Sequence, residues 1–573
     1  MMCHRVMSGI VISLIVVGLL AAPGDARAQN ADEPWVSKIV SVQGRVFAKL
    51  LGETDWQPVH LNDTLVAGDQ IRVEADSRAG ILLRNDAVLR LDQNTSLVFS
   101  EIEEETTFIF KLLKGAANFF SRRSHSLKIL TPFVNGVVEG TEFLVQVDAD
   151  HTRIDLFEGR IRAQNEFGVL QLAKGQGAVA TAGQAPQRRI LIQPRESVQW
   201  ALYYPPVLAF QRDGASPELE TSMSRLNQGR PAGAIDSLSQ VPEGDRDARY
   251  FTWRAGLMLH VGRVSNARAD IQQALALTPN HGDALALKAV IAVVQNRKAE
   301  ALAAARQAVR NDSRSAAAQL ALSYALQAEY NLPEALQAAQ AAVALAPNNG
   351  TARARLAELR LSTGQLDQGI QAAQKAAALQ PNTAHAHTIL GFAYLTQIKL
   401  DKAREAFDMA ITLDSAAPLP RLGLGLAKIR RGELADGRRE IEIAAGLDPV
   451  NALIRSYLGK AYFDEKRGPL DEKQLEIAKM LDPNDPTPWF YDAIRKQTLN
   501  RPGEALQDLQ QSIALNDNRA VYRSRLLLDE DLAARSTGLG RIYNDLGFQE
   551  SAMRQGWKSL NLDPANHSAH QLL

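Results

Sequence analysis

The chain has 573 residues, more than one hydrophobic core organises, so it divides into several domains or forms a repeat array. Lysine plus arginine and aspartate plus glutamate each number 64, and a chain of zero formal charge has no global field drawing it to nucleic acid or an anionic membrane. The aromatic fraction of 6% suits an Ala- and Leu-rich helical body better than a large β-protein.

The first element in chain order reads as an export signal, residues 1–28. Arg5 stands without an acid ahead of an apolar run from Gly9 to Ala22, Pro23 and Gly24 break that run, and Ala26-Arg27-Ala28 has the small-x-small form that a signal peptidase requires. The run is short of the roughly 20 residues that a membrane helix needs, so cleavage after Ala28 is expected and an uncleaved anchor is the alternative. Cys3 is the single cysteine and precedes the apolar run, whereas a lipid-attachment cysteine would follow it. The cleaved chain would then hold no disulfide, thiolate metal site or cysteine nucleophile. No other segment is apolar enough to span a bilayer.

Residues 29–197 read as all-β. Short β-branched runs alternate with Gly and Asn-Asp turns, and in "AVLRLDQ" Val88, Leu89 and Leu91 mostly alternate with Arg90 and Asp92, the mark of a half-buried strand. The pattern leaves a sandwich and a β-solenoid both open. In "NGVVEGTEFLVQV" Gly136 and Gly140 read as turn glycines, because no helix follows to aim its N-terminal amides at a phosphate. "VSVQGRV", "LVAGDQIRVEADSRAGILLRND", "LRLDQNTSLVF", "LLKGAANFF", "ILTPFVNGVVEGTEFLV", "DLFEGRIRAQNEFG" and "AKGQGAVA" follow one another in an order that resembles the FecR domain. That resemblance implies a periplasmic β-domain with a role in sensing or envelope organisation, in some members relaying a signal to an anti-sigma system. Signalling members carry a cytoplasmic segment before a membrane span, whereas only eight residues precede the apolar run here.

A joint follows at 198–214, where Pro205-Pro206 can continue neither helix nor central strand. Trp200, Tyr203 and Tyr204 crowd it, either packing the β-domain onto the first helices or forming an exposed docking patch.

From 215 to 573 the periodicity is helical. Pro279, Ser313, Pro347, Pro381, Ser415, Pro449, Pro483 and Asp517 are successively 34 residues apart, which predicts eight helix–turn–helix units over 248–519. Within a unit Leu390, Gly391 and Tyr394 share one helix face and Ala403, Phe407 and Ala410 the next, the small residues marking a close helix crossing. The array is similar to the tetratricopeptide (TPR) repeat, which implies an all-α superhelix. A ninth unit, 533–566, is displaced by an insertion at about 520–532, and the chain stops at "NHSAHQLL", where a further unit's first helix would begin.

Catalytic spacing is absent: the chain has no H-E-x-x-H, no G-x-S-x-G and no phosphate loop. His385 and His387 point to different faces of a helix, His567 and His570 sit in the terminal tail, and the acidic run Glu101, Glu103, Glu104 and Glu105 reads as a solvated hairpin loop. No cofactor, metal or nucleic acid is expected. Resemblance to the TPR places positions 2, 5, 9 and 12 of each unit on a concave groove. Position 9 gives Val290, Tyr324, Glu358, Phe392, Leu426, Lys460 and Ile494; position 12 adds Leu395, Ile429 and Phe463; position 5 adds Leu320, Leu422 and Phe490. A long apolar groove suits a partner helix or extended segment with apolar anchors, and the alternative is that these side chains pack against the next unit. On the first reading, Phe392→Asp with Leu426→Asp abolishes partner capture and spares the helices.

The sequence thus points to a non-enzymatic scaffold of the periplasm or outer membrane, binding protein partners through the groove and an envelope component, such as an outer-membrane or secretion component or a cell-wall glycan, through the β-domain. A periplasmic sensor acting through a separate membrane regulator is the alternative, and a glycan-acting enzyme using two facing carboxylates is a further one.

Overall fold

The computed structural model describes residues 36–103, 107–122, 124–190, 194–208, 216–515 and 531–573. The expected export signal, most of the predicted insertion and part of the joint lie outside the described residues.

The β-region is a small barrel with extra strands, followed by about 18 paired helices. Strands Ser37–Gln43 and Val46–Lys49 form one bent arm around Gly44, whose φ of 80° is open to glycine. One end of the arm pairs with Arg78–Leu83 and the other with Gln70–Val73. Those neighbours lead through Val88–Leu91 and Ser96–Glu103 to the long strand Thr107–Phe120, which closes the ring. The extra strands extend from that long strand: Ser124–Leu130, Asn135–Val147, His151–Asn165, Gly168–Ala173, Gln176–Thr181 and finally Gln187–Ile190 at the edge. Inside the barrel Phe99, Phe110, Phe119 and Phe143 are fully buried and in ring contact, Phe119 and Phe143 stacking at 4.7 Å.

One strand departs from its pattern. Val88–Leu91 is buried on both faces, Arg90 included. It reads from sequence as half-buried; its outer face is instead covered by helices of the same chain.

The repeat array follows from two local signals. Ser315, Asn349 and Asn451 cap first helices, each side chain accepting a hydrogen bond from the amide three residues on. Each hairpin then turns on one residue in the left-handed region, at Gly262, Asn296, Tyr330, Gly364, Ile398, Gly432, Lys466 and Asn500, again 34 apart. Gly547 comes 47 residues after Asn500, 13 more than the repeat. Where helices cross, only small residues fit: a Cβ on Gly391 would lie 2.6 Å from the Phe407 ring, and one on Gly437 would lie 2.6 Å from the Gly425 carbonyl oxygen.

The array winds until it meets itself. Asn296 donates to the Leu481 carbonyl at 3.0 Å, Lys298 Nζ approaches Asp482 at 3.3 Å, and the Tyr330 hydroxyl donates to the same carboxylate. Barrel and array form a single unit, Trp35–Leu573, with the barrel held inside the curve.

Candidate functional site

The concave face is where the sequence places partner binding, and the chain fills much of it itself. Val40, Leu82, Val88 and Phe120 of the barrel share one apolar cluster with Phe392, Leu426, Ile443 and Leu447 of the array. The contact is close: a Cβ on Gly446 would stand 2.5 Å from a Val88 methyl. Backbone joins in, because Val42 N donates to Ser415 Oγ at 2.9 Å and Arg421 donates to the Val40 carbonyl at 3.2 Å.

Charge sets the register of this docking. Arg455 is fully buried and holds Glu142 with two bonds, at 2.5 and 2.7 Å, the bidentate geometry in which a guanidinium fork matches a carboxylate. Arg122 binds the same carboxylate and reaches Glu158 at 2.8 Å. The Phe120 ring lies under both cations, at 3.9 Å from Arg122 and 5.0 Å from Arg455. Burial opposes ionisation of Glu142, but Arg455 and then Arg122 outweigh it and hold the carboxyl at about 2. Further ion pairs cross the interface: Asp86 meets Arg438 at 3.4 Å and Arg439 at 3.1 Å, and Asp92 meets Arg263 at 2.6 Å. Arg78, lowered to about 9 by burial and then by Arg90 and Arg263, donates to the carbonyls of Trp200 and His260. Burial also pushes Asp448 up to about 6.

The joint lies between the two bodies. Tyr204 is buried with Leu202 and Val207 against Met258, Leu259 and Val290 of the first repeats. Tyr203 bonds to Asp414, its hydroxyl pushed well up by burial and then by that carboxylate. Trp200 is half-buried with its carbonyl on Arg78.

The expected groove residues divide in two. Phe392, Leu395, Leu426 and Phe490 are buried, at 0, 2, 2 and 7% exposure. Phe392 meets Phe407 edge-on at 5.0 Å, so it is core, and an aspartate there would disrupt the helices rather than spare them. Tyr324, Ile429, Phe463 and Ile494 are half-buried, Tyr324 beneath the Arg355 guanidinium at 3.9 Å. Sequence reasoning missed the cations. Arg421 and Arg455 stand 34 apart, each one position before the fifth position of its unit, Leu422 and Ser456, and that repetition was the available signal.

Two of the openings among the described residues are lined in part by residues named above. One, of about 630 Å³, lies between the Val42–Gly44 turn, the joint from Tyr203 to Leu208, and repeat residues including Trp253, His260, Thr383 and Asp414. His260 and His385 on its wall are lowered by burial, which favours their neutral forms. The other, of about 420 Å³, is lined by Leu426, Ile429, Tyr457, Lys460 and Asp464. Among the described residues no group of three or more His, Cys, Asp or Glu is placed to hold a metal ion, and no helix is long and apolar enough to cross a membrane. His387 and His570 each contact a proline carbonyl, at 2.7 and 3.0 Å, and the run Glu101–Glu105 lies partly outside the described residues.

The geometry defines a two-domain protein in which a helical repeat array clasps a β-barrel. Comparison gives the two parts their families: the FecR protein model matches residues 69–162, and tetratricopeptide repeat models match 259–315, 287–350, 326–391 and 422–486. The chain therefore carries an N-terminal FecR domain and C-terminal TPR repeats, a class of repeat that engages proteins. No curated protein matches it. Similar solved structures include the Cut9–Hcn1 hetero-tetramer of APC/C, at 16% identity over 61% of this chain and 68% of that one with a TM-score of 0.49. The human IFIT1 dimer with m7Gppp-AAAA matches at 15% identity over 62% and 92%, TM-score 0.40. A crystal structure of a putative anti-sigma factor from Parabacteroides distasonis matches at 15% over 24% and 68%, TM-score 0.22. All three scores lie below 0.5.

Proposed function

We propose that this chain is an exported, non-catalytic adaptor of the bacterial envelope. The observation that carries the reading is the occupied concave face: the TPR array holds the FecR domain as it would hold a protein ligand, and the two act as one body. Partner proteins then engage what the clasp leaves open, inserting an apolar helix or extended segment into the 630 Å³ opening or the smaller cleft beside Ile429. The outward face of the FecR sheet meets an envelope component. The signal-like N-terminus supports export to the periplasm. The buried ionisable groups of the interface serve it structurally, since Glu142, Glu158, Asp86 and Asp92 are each bound to arginine of the same chain.

The test places a photo-crosslinking residue at Thr383 or Thr412, both on the larger opening, in tagged full-length protein in its native cell. Mass spectrometry of the adducts is expected to return envelope assembly or secretion proteins. A receptor together with an inner-membrane regulator would replace the adaptor by the sensor. Turnover of envelope glycan by the purified protein, lost on one Asp or Glu substitution, would overturn the non-catalytic reading.

A further inference from the structure

The proposed envelope contact of the FecR domain has a definite surface. Residues paired across neighbouring strands share a face, so the registers give the outer face row by row. One row runs Lys128, Val137, Arg162, Gln171. The row beside it runs Lys111, Leu130 on two parallel strands and continues along the hairpins through Gln164 and Val169. On the other side Arg160 pairs with Glu139 and Ala173. Arg188 of the edge strand donates to the Gln171 carbonyl at 3.1 Å, but it pairs with Ala178 and through it with the core residue Ile154, so its side chain starts from the opposite face.

This face is basic and apolar together. Lys111, Arg160 and Arg162 are exposed, and among the described residues none of them forms an ion pair. Of the described side chains, the acid of the neighbouring hairpin turn is Glu166. Between and beyond the cations stand large apolar side chains open to solvent: Val137 at 39%, Phe167 at 51% and Val169 at 54% exposure. The barrel's docking residues, Val40, Val88, Phe120 and Glu142, are elsewhere, so closure of the array leaves this face uncovered.

We propose that this outer face docks on an anionic phospholipid surface. A purely basic face would suit any polyanion and a purely apolar one a protein groove. Cations in rows with aromatic and aliphatic tips among them suit a bilayer interface, where apolar side chains enter the boundary of headgroups and acyl chains while Lys and Arg stems reach the phosphates. The zero net charge of the whole chain is no obstacle, because screening limits attraction to about 8 Å at physiological salt and only the facing residues contribute.

The proposal rests on the FecR domain meeting an envelope component, and its test is independent of partner crosslinking. The full mature protein is sedimented with vesicles of phosphatidylcholine carrying 30 mole per cent phosphatidylglycerol, chosen as about a third anionic lipid, and with pure phosphatidylcholine vesicles. Binding is expected to the anionic vesicles and to fall with added salt. Arg160→Glu with Arg162→Glu should weaken it by about tenfold or more, since each basic residue near such a surface adds appreciably to attraction. Phe167→Ser with Val169→Ser should lower what is retained at high salt, where insertion rather than charge holds the protein. These residues are exposed, so unchanged circular dichroism and thermal midpoints are expected for both variants. No sedimentation with either vesicle, equal sedimentation with both, or undiminished binding by the arginine variant overturns the proposal. So does full displacement from vesicles by soluble polyglutamate at matched charge, which would make the face a general polyanion site.

Discussion

Glu142 shows what one residue can decide in this molecule. It comes from a continuous strand, Asn135–Val147, whose Gly136 and Gly140 read from sequence as turn glycines, and its carboxylate joins Arg455 of the array to Arg122 of the barrel. Glu142→Gln leaves two buried guanidinium groups short of their counter-charge and is expected to destabilise the fold by about 3–5 kcal/mol, read by chemical denaturation. The folded-state value of about 2 is depressed below the ordinary 4.5, so the contribution of Glu142 is complete above about pH 4.5 and is lost as pH falls through 2. Asp448 has the opposite sign. Its value is raised to about 6, so the charged form opposes folding above pH 6 and the opposition fades toward the ordinary 3.8. Asp448→Asn should therefore raise stability at pH 7.5, on the order of 1–3 kcal/mol, and do little near pH 4.

At the scale of elements the repeats were legible, because helix caps, small crossing residues and turn positions recur within each 34-residue unit and are set locally. Gly391 and Phe407 fell into their slots from spacing alone, and the structure brings the ring against that glycine and against Gly423, where a Cβ would come within 2.2 Å. Gly391→Ala should cost about 1–3 kcal/mol by overpacking, and Phe407→Leu in the same chain should recover part of the loss. A double-mutant cycle on thermal midpoints measures the coupling. What spacing could not supply is the occupant of the groove. Phe392 and Leu426 sit at lining positions and are apolar, which fits a waiting partner and a resident domain equally well. Similarly, the alternation around Arg90 identified a strand but not the helices that cover its outer face, since that cover comes from residues more than 300 positions away.

For the molecule as a whole, the shared apolar cluster and the buried ion pairs predict that barrel and array unfold together. Far-ultraviolet circular dichroism, dominated by the helices, and tyrosine or tryptophan fluorescence from the joint should report one coincident transition. Glu142→Arg would set three guanidinium groups against one another and is expected to split that transition in two, the array melting apart from the barrel. Coincident melting of this variant would mean that the apolar contacts alone suffice to couple the domains.

Closure of the array on itself has a consequence for how such a protein can change length. Ordinary solenoids gain and lose units freely, since each touches only its neighbours. Here Lys298 must reach Asp482 on the far side of the turn while Arg455 reaches Glu142 and Ser415 reaches Val42. Excising any one 34-residue unit between 316 and 449 would rotate the later contacts away from their places on the barrel, so copy number in that stretch is fixed by the girth of what it encloses. Units after 486 carry no such constraint, and duplicating one of them should leave the clasp and its melting transition as they are.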